Sequence, residues 1–189
     1  MSNTSPSQQS LSEKAPTHLR PFIFMVILMA LIGFITSLNQ QFQAPLKETF
    51  LAESGALKNA FATFITFSFF LSYLLMGPVS ARYLQRYGYK KTLLKGIVIV
   101  AFSLVIFGIS ALSFQWIGEG ALNHIAIGKI RLPLGYFLFL IGSFVSGTGL
   151  TYLQSSVNPY IVVCNVPHTT GVTRQNIAGT GNSLMTTLV

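Results

Sequence analysis

The sequence predicts an all-α integral membrane protein. Apolar residues make up 51% of the chain and charged residues 8%, whereas a soluble domain carries about 25% charged residues. The apolar runs are continuous and lack the alternation of a membrane barrel, so spans that must satisfy their own backbone hydrogen bonds in lipid are helices. Four segments contain no charged residue and exceed the roughly 20 residues that cross a bilayer: Pro21–Leu46, Asn59–Ala81, Gly96–Gly118 and Leu132–Pro167, the last helical over about 132–163.

A fifth helix is predicted to begin near Arg174 and to continue to Val189. The first 19 residues are polar and rich in Ser, Pro and Gln, so we expect a disordered cytoplasmic tail over 1–19 rather than a cleaved signal peptide. Residues 20–189 should then form four complete transmembrane helices and the start of a fifth, over about 174–189. On this interpretation the chain is the front part of a larger helical bundle.

The charges between the predicted spans indicate the orientation, because short cytoplasmic loops carry an excess of Lys and Arg. One side holds eight basic residues and one acid: Lys14, Arg20, Arg82, Arg86, Lys90, Lys91, Lys95, Arg174 and Glu13. The other side holds four basic and three acidic residues: Lys47, Lys58, Lys129, Arg131, Glu48, Glu53 and Glu119. We therefore expect the N-terminus in the cytoplasm, and an external, partly helical loop over Gly118–Arg131.

Several function classes have no support in the sequence. The net charge is +8, but the cations are sorted by loop and no nucleic-acid recognition module is present. The histidines are scattered outside the spans, and the single cysteine, Cys164, is expected to be a small buried residue. No metal site or cofactor is therefore predicted. An enzyme would need a nucleophile–base pair or a metal cluster at membrane depth, and neither is present, so none is predicted.

Polar residues inside the spans are the main functional signal, because they are costly in hydrocarbon unless they face a partner or water. In the first span Thr36, Asn39, Gln40 and Gln43 share one helix face. This face could border a central cavity. Alternatively, the helix ends near Leu38 and the glutamines lie in water.

The fourth span carries a second polar face, formed by Gly147, Thr151, Gln154 and Asn158. In the fifth helix, Asn182 lies deeper than the polar helix start. Hydrogen bonding between helices is the alternative interpretation of such residues. Carboxamides and hydroxyls without charge would suit a neutral polyol such as a sugar. The candidate substrate-binding residues are Asn39, Gln40, Gln154, Asn158 and Asn182.

Four stretches resemble the major facilitator superfamily, and more narrowly its fucose–galactose–glucose symporter branch. They are Gly33–Asn39 with Pro45–Lys47, Gly77–Lys91, Gly147–Tyr160 with its Gln-x-x-x-Asn-Pro-Tyr element, and Arg174–Ser183. The resemblance implies a twelve-helix fold of two six-helix bundles, of which this chain supplies part of the N-terminal one. It also implies uptake of a monosaccharide by alternating access across a bacterial inner membrane, with membrane lipid as surroundings.

The sequence departs from the fucose-type pattern of that branch in three places. Gln40 and Gln154 stand where fucose-type members have acids, and Gly179 stands where they have a Gln before Asn182. These differences resemble the glucose/galactose subgroup and favour a hexose. We expect symport with H+ or Na+ in the full-length protein, but residues 1–189 offer no titrating group within a span to carry a proton. A non-transporting scaffold or sugar sensor is the alternative, and nothing indicates an oligomeric state.

The basic loop Arg82–Lys95 permits two interpretations. In the superfamily this loop is a cytoplasmic latch between helices, usually helped by an Asp, and Gln85 occupies that position here. The other interpretation is that the loop sets the topology and contacts anionic headgroups.

Overall fold

A computed structural model describes residues 18–42, 45, 48, 51, 57–117, 124–127 and 130–188. These residues form four helices and a small hairpin: α1 (Leu19–Gln41), α2 (Lys58–Ile117), β1 (His124–Ile127), β2 (Ile130–Pro133), α3 (Leu134–Val163) and α4 (Gly171–Leu188). Three of the helices, α1, α2 and α3, are long and apolar enough to cross a membrane. The predicted all-helical membrane class is thus confirmed, while most of the predicted tail and Gln43 lie outside the described residues.

Helix α2 reverses direction at Gly88. A straight helix of its 60 residues would be about 90 Å long at 1.5 Å per residue, far more than a bilayer needs. Gly88 has φ 77° and ψ 174°, a conformation that glycine adopts at little cost because it has no Cβ. Residues 58–87, here α2a, and residues 89–117, here α2b, are therefore two helices joined by one residue.

The two halves of α2 run along α3 in opposite directions. In the contacts between α2a and α3, the residue numbers increase along both helices: Phe61 with Tyr136, Ser68 with Leu140, and Ser80 with Ser155. In the contacts between α2b and α3, the residue numbers decrease along α2b as they increase along α3: Ser110 with Gly135, Phe107 with Gly142, Val100 with Gly149, and Gly96 with Leu153. As expected for small residues at helix interfaces, Gly142 and Gly149 permit the close approach.

Helix α4 pairs with α1 and runs parallel to it. Gly33 lies against Asn182, and one turn later the Ser37 hydroxyl donates to the backbone oxygen of Thr186 at 3.1 Å. The backbone N–H of His18 donates to the oxygen of Asn165 at 2.9 Å. The start of α1 therefore meets the end of α3, at the same end of the molecule as the Gly88 bend.

Arg174 is buried, although it is charged and lies in the first turn of α4. Its guanidinium donates to the oxygens of Ile161 at 3.0 Å, Val162 at 2.6 Å and Thr169 at 2.9 Å. The last carbonyls of a helix have no partner within the helix and carry partial negative charge. Arg174 therefore closes the C-terminal end of α3 and fixes the turn into α4.

The connection between α2b and α3 differs from its prediction. A partly helical loop was expected over Gly118–Arg131, whereas β1 and β2 form an antiparallel hairpin that pairs His124 with Pro133 and Ile127 with Ile130. Three isoleucines in eight strand residues favour extended backbone.

Candidate functional site

A cavity of about 470 Å³ lies between α2a and α3, toward the end of the molecule that carries Gly88. We call it the amide cavity. Its lining comes from one face of each helix: Tyr73, Gly77, Ala81, Leu84 and Gln85 from α2a, and Thr151, Gln154, Ser155, Asn158 and Pro159 from α3. Ligand cavities in proteins commonly measure about 300–1,000 Å³, so a small molecule would fit.

The polar face predicted for the fourth span borders this cavity. Gly147 packs against α2a so closely that a Cβ there would overlap the Ser72 hydroxyl and the Phe69 oxygen. One turn further on, the Thr151 hydroxyl donates to the oxygen of Gly147 at 2.7 Å and is used within its own helix. The close contact at Gly147 therefore sets how far Gln154 stands from α2a.

Two carboxamides, those of Gln154 and Asn158, line the cavity wall formed by α3. Within the described part of the chain, the side-chain oxygen of Asn158 is buried and has no hydrogen-bond partner. A buried polar atom without a partner costs about 1–3 kcal/mol. A ligand hydroxyl that donated to this oxygen would remove that cost.

Asn182 lies on a different helix pair, against Gly33 of α1. A Cβ on Gly33 would overlap both the backbone oxygen and the side-chain oxygen of Asn182. One turn along α1, the Thr36 side chain lies close to that of Tyr73, and Tyr73 lines the amide cavity. Helix α1 therefore lies beside both Asn182 and one wall residue of the amide cavity.

Asn39 lies in another place, a cavity of about 380 Å³ between α1, α2b and α3. Aromatic and aliphatic side chains such as Phe107 and Phe139 form most of its wall. Asn39 is buried, and its side-chain nitrogen has no partner among the described residues. Gln40 is exposed near the end of α1 and lines neither cavity. Because α1 continues to Gln41, both residues are helical.

The amide cavity has no ionisable carboxylate, amine or imidazole in its lining. Within the described residues, no group of three His, Cys, Asp or Glu side chains is placed to hold a metal ion. The chemistry that the lining offers is hydrogen bonding by amides and hydroxyls. Such a surface suits a neutral polar molecule.

Only Gln154 and Asn158 of the ten lining residues were among the predicted site residues. Of the other polar ones, Thr151 belonged to the predicted polar face, whereas Tyr73, Gln85 and Ser155 belonged to neither set. Gln85 was interpreted as part of the basic loop. The available signal was spacing: Tyr73, Gly77, Ala81 and Leu84 recur every three or four residues, which places them on one helix face. Helical spacing identifies the face but not the helix against which it packs, so only the structure assigns this face to α3.

Comparison with known proteins gives relatives of one kind. The chain is 28% identical over 164 residues to the glucose/galactose transporter of Brucella abortus, covering 87% of the chain and 34% of that protein. It is 24% identical over 189 residues to the L-fucose-proton symporter of Escherichia coli K12, covering 97% of the chain and 37% of that protein. The chain spans about a third of the length of these curated relatives.

No family model matches the chain, and no solved structure matches it. Both named relatives are transporters, in agreement with the prediction that the chain is not an enzyme. Their names are those of the two subgroups that the sequence motifs indicated. The predicted resemblance to the fucose, galactose and glucose symporter branch of the major facilitator superfamily is thereby confirmed over most of the chain.

Proposed function

We propose that this chain is part of a membrane transporter that moves a monosaccharide by alternating access. The observation that carries the proposal is the amide cavity, whose wall combines Gln154, Asn158 and Tyr73 without any charged side chain. A hexose presents hydroxyl groups on all sides, and each can donate and accept a hydrogen bond. The names of the sugar-transporting relatives support the same substrate class.

The arrangement of helices supports four transmembrane spans and the start of a fifth. Helix α2 supplies two spans, α2a and α2b, because it reverses at Gly88. The direction of each helix alternates from α1 through α2a, α2b and α3 to α4, as the contacts between them require. With the Gly88 end in the cytoplasm, the excess of Lys and Arg lies where the charge rule places it, in what we take to be a bacterial inner membrane.

The proposed site also includes Asn182, Asn39 and Gln40, which differ in their positions relative to the amide cavity. Asn182 packs against Gly33 of α1, and we propose that it completes the polar wall when the bundle is whole. Asn39 and Gln40 remain predicted substrate-binding residues, and both lie outside the amide cavity.

Ion coupling, if the full-length protein is a symporter, depends on groups outside these spans. The described parts of α1, α2a and α3 that border the polar contacts contain no carboxylate, and Gln154 does not titrate near neutral pH. We propose that H+ or Na+ coupling, where it exists, uses residues of the remaining bundle.

The proposal is tested by measuring sugar transport by the full-length gene product that contains this sequence. In cells that lack hexose uptake, accumulation of radiolabelled glucose or galactose should depend on its expression. Gln154→Ala and Asn158→Ala should each lower uptake about tenfold or more, because each removes hydrogen bonds made to the sugar. Gln41→Ala is the matched control, since Gln41 is exposed and lines neither cavity.

A scaffold or sugar sensor is the second candidate, because Gln40 and Gln154 replace acids that fucose-type members carry. A sensor would bind glucose or galactose in a Gln154-dependent manner without moving it. Binding by calorimetry together with absence of counterflow would therefore replace transport with sensing. If the Gln154 and Asn158 variants keep full uptake and full binding, the amide cavity is not the sugar site.

A further inference from the structure

The end of the molecule around Gly88 carries a concentration of positive charge. Five cationic side chains lie within 14 residues, and we call them the basic hairpin: Arg82, Arg86, Lys90, Lys91 and Lys95. Arg82, Arg86, Lys90 and Lys91 are exposed, and Lys95 is half-buried. Since these residues flank a one-residue reversal, their side chains come from the adjoining ends of two neighbouring helices.

Among the described residues, no carboxylate lies in this region to balance these charges; Glu13, the one acid on the same side of the predicted topology, lies outside the described residues. The sequence contains no Asp or Glu between Glu53 and Glu119, and none after Glu119. Both of those acids belong to the opposite side of the predicted topology. Like charges at this spacing repel one another in the absence of a counter-ion, so the basic hairpin favours binding of an external anion.

Tyrosine rings take the place of carboxylates in positioning the cations. The Lys95 ammonium lies 4.1 Å from the ring centre of Tyr83 and 4.9 Å from that of Tyr152. Arg86 and Lys91 both approach the ring of Tyr87, at 5.5 Å and 5.7 Å. A ring face attracts a cation without removing its charge or occupying all of its N–H donors. The positioned cations remain able to bind phosphate oxygens.

Exposed aliphatic side chains adjoin the basic hairpin on both helices. Val79 is 46% exposed in α2a, and Leu94 and Val98 are 51% and 66% exposed in α2b. Tyr87 and Tyr89 are exposed between them, as amphipathic rings are at the level of lipid headgroups. Cations next to an exposed apolar surface match a molecule with an anionic head and a hydrocarbon tail. A soluble anion would use only the first of these two features.

We propose that the basic hairpin binds the phosphate groups of anionic phospholipids such as phosphatidylglycerol, in the leaflet on its own side of the membrane. Arg86, Lys90 and Lys91 contact the phosphates, and Leu94 and Val98 lie along the acyl chains. Lys95, held by Tyr83 and Tyr152, fixes the distance between the hairpin and α3. This binding is independent of sugar transport and would hold for a scaffold as well.

Lipid retention by the purified chain tests this proposal. The chain is purified in detergent, mixed with equal amounts of phosphatidylglycerol and phosphatidylcholine, and analysed by native mass spectrometry. We expect retention of phosphatidylglycerol over phosphatidylcholine, weakened in 0.5 M salt as an electrostatic contact must be. The triple variant Arg86→Gln, Lys90→Gln, Lys91→Gln should lose about tenfold or more of that preference, since each cation near an anionic lipid surface contributes severalfold.

The matched control removes the same number of charges from the opposite side: Lys47→Gln, Lys129→Gln and Arg131→Gln. It should keep the preference, as should a charge-retaining variant with Arg86→Lys, Lys90→Arg and Lys91→Arg. Detergent removes any effect of membrane sidedness on the comparison. If the neutralised variant does not fold, the salt dependence of the unmodified chain and the charge-retaining variant still decide the question.

Three results would overturn the proposal. Equal retention of the two lipids by the unmodified chain would show that charge does not select the lipid. An equal loss of preference in both neutralised variants would show that overall charge, not the basic hairpin, is responsible. Displacement of phosphatidylglycerol by millimolar inorganic phosphate would identify a site for a soluble anion, with no contribution from the acyl chains.

Discussion

Helix α3 and the helix α2b beside it are both apolar, yet they have opposite surroundings. Leu150 and Val157 of α3 are fully buried, whereas Val98 and Phe102 of α2b are 66% and 60% exposed. The most apolar stretch of the buried helix is the less apolar one: its mean hydropathy is 1.5, against 2.5 for the corresponding stretch of α2. Lipid accepts any apolar side chain, whereas the interior of the bundle requires small residues that allow contact between helices. Hydropathy therefore identifies the spans, and glycines and polar residues identify the buried faces.

The largest expected difference in stability is between two glycine-to-alanine substitutions, one in α3 and one in α2b. Gly147→Ala in α3 introduces a Cβ that overlaps Ser72 and Phe69, while Gly108→Ala in α2b meets nothing within 4 Å. We expect the first to lower the free energy of unfolding by about 3 kcal/mol through overpacking, and the second to be neutral or slightly stabilising. Thermal unfolding in detergent measures both. Equal melting temperatures would show that α3 is not the tightly packed helix.

A somewhat smaller effect is expected at the end of α3. Arg174→Met leaves the oxygens of Ile161 and Val162 without their donor and should cost about 2 kcal/mol. The free energy of unfolding of Arg174→Lys should lie between those of the unmodified chain and of Arg174→Met, because lysine keeps the charge and loses the forked geometry of the guanidinium. Arg86→Met is the control, since Arg86 is exposed and should change stability by less than about 0.5 kcal/mol. The comparison fails if the Arg174 and Arg86 variants unfold at the same temperature.

Asn39 extends the comparison of buried and exposed positions to α1. Its amide nitrogen is buried in an apolar cavity and has no partner among the described residues, so Asn39→Leu should stabilise the chain by about 1 kcal/mol. Gln41→Leu, at an exposed position, should leave stability unchanged. A stabilised Asn39→Leu protein that also loses hexose uptake would show that this residue serves the substrate. A destabilised one would mean that the amide has a structural partner.

The smallest effect concerns Cys164, which follows α3 and is buried. Burial raises the pKa of its thiol, and the nearby Arg174 opposes this rise only in part. The reactive thiolate is therefore scarcer at neutral pH than in an exposed cysteine, and maleimide labelling should be slow and should increase as the pH is raised. A cysteine at exposed Thr173, in a Cys164→Ala background, is the control. Equal labelling rates at pH 7 would contradict the burial.

Much of this architecture follows from the sequence, because each span needs only length and apolarity. The polar face of Gln154 and Asn158 was also recognisable, since helical spacing places both on one side. Which helix this face of α3 contacts was not, because helical spacing does not identify the neighbouring helix. The role of Arg174 was missed for a related reason: a basic residue between spans normally indicates topology, and only the packed turn shows carbonyls within its reach.

The reversal at Gly88 also restricts how this protein can change in evolution. Only one residue separates α2a from α2b, so there is no slack to absorb an inserted or deleted amino acid. One added residue beside it would rotate the whole following helix by about 100° about its axis. Side chains suited to hydrocarbon would then point at α3, and the glycine contacts would be lost. The length of this connection is therefore under as strict a constraint as any buried side chain.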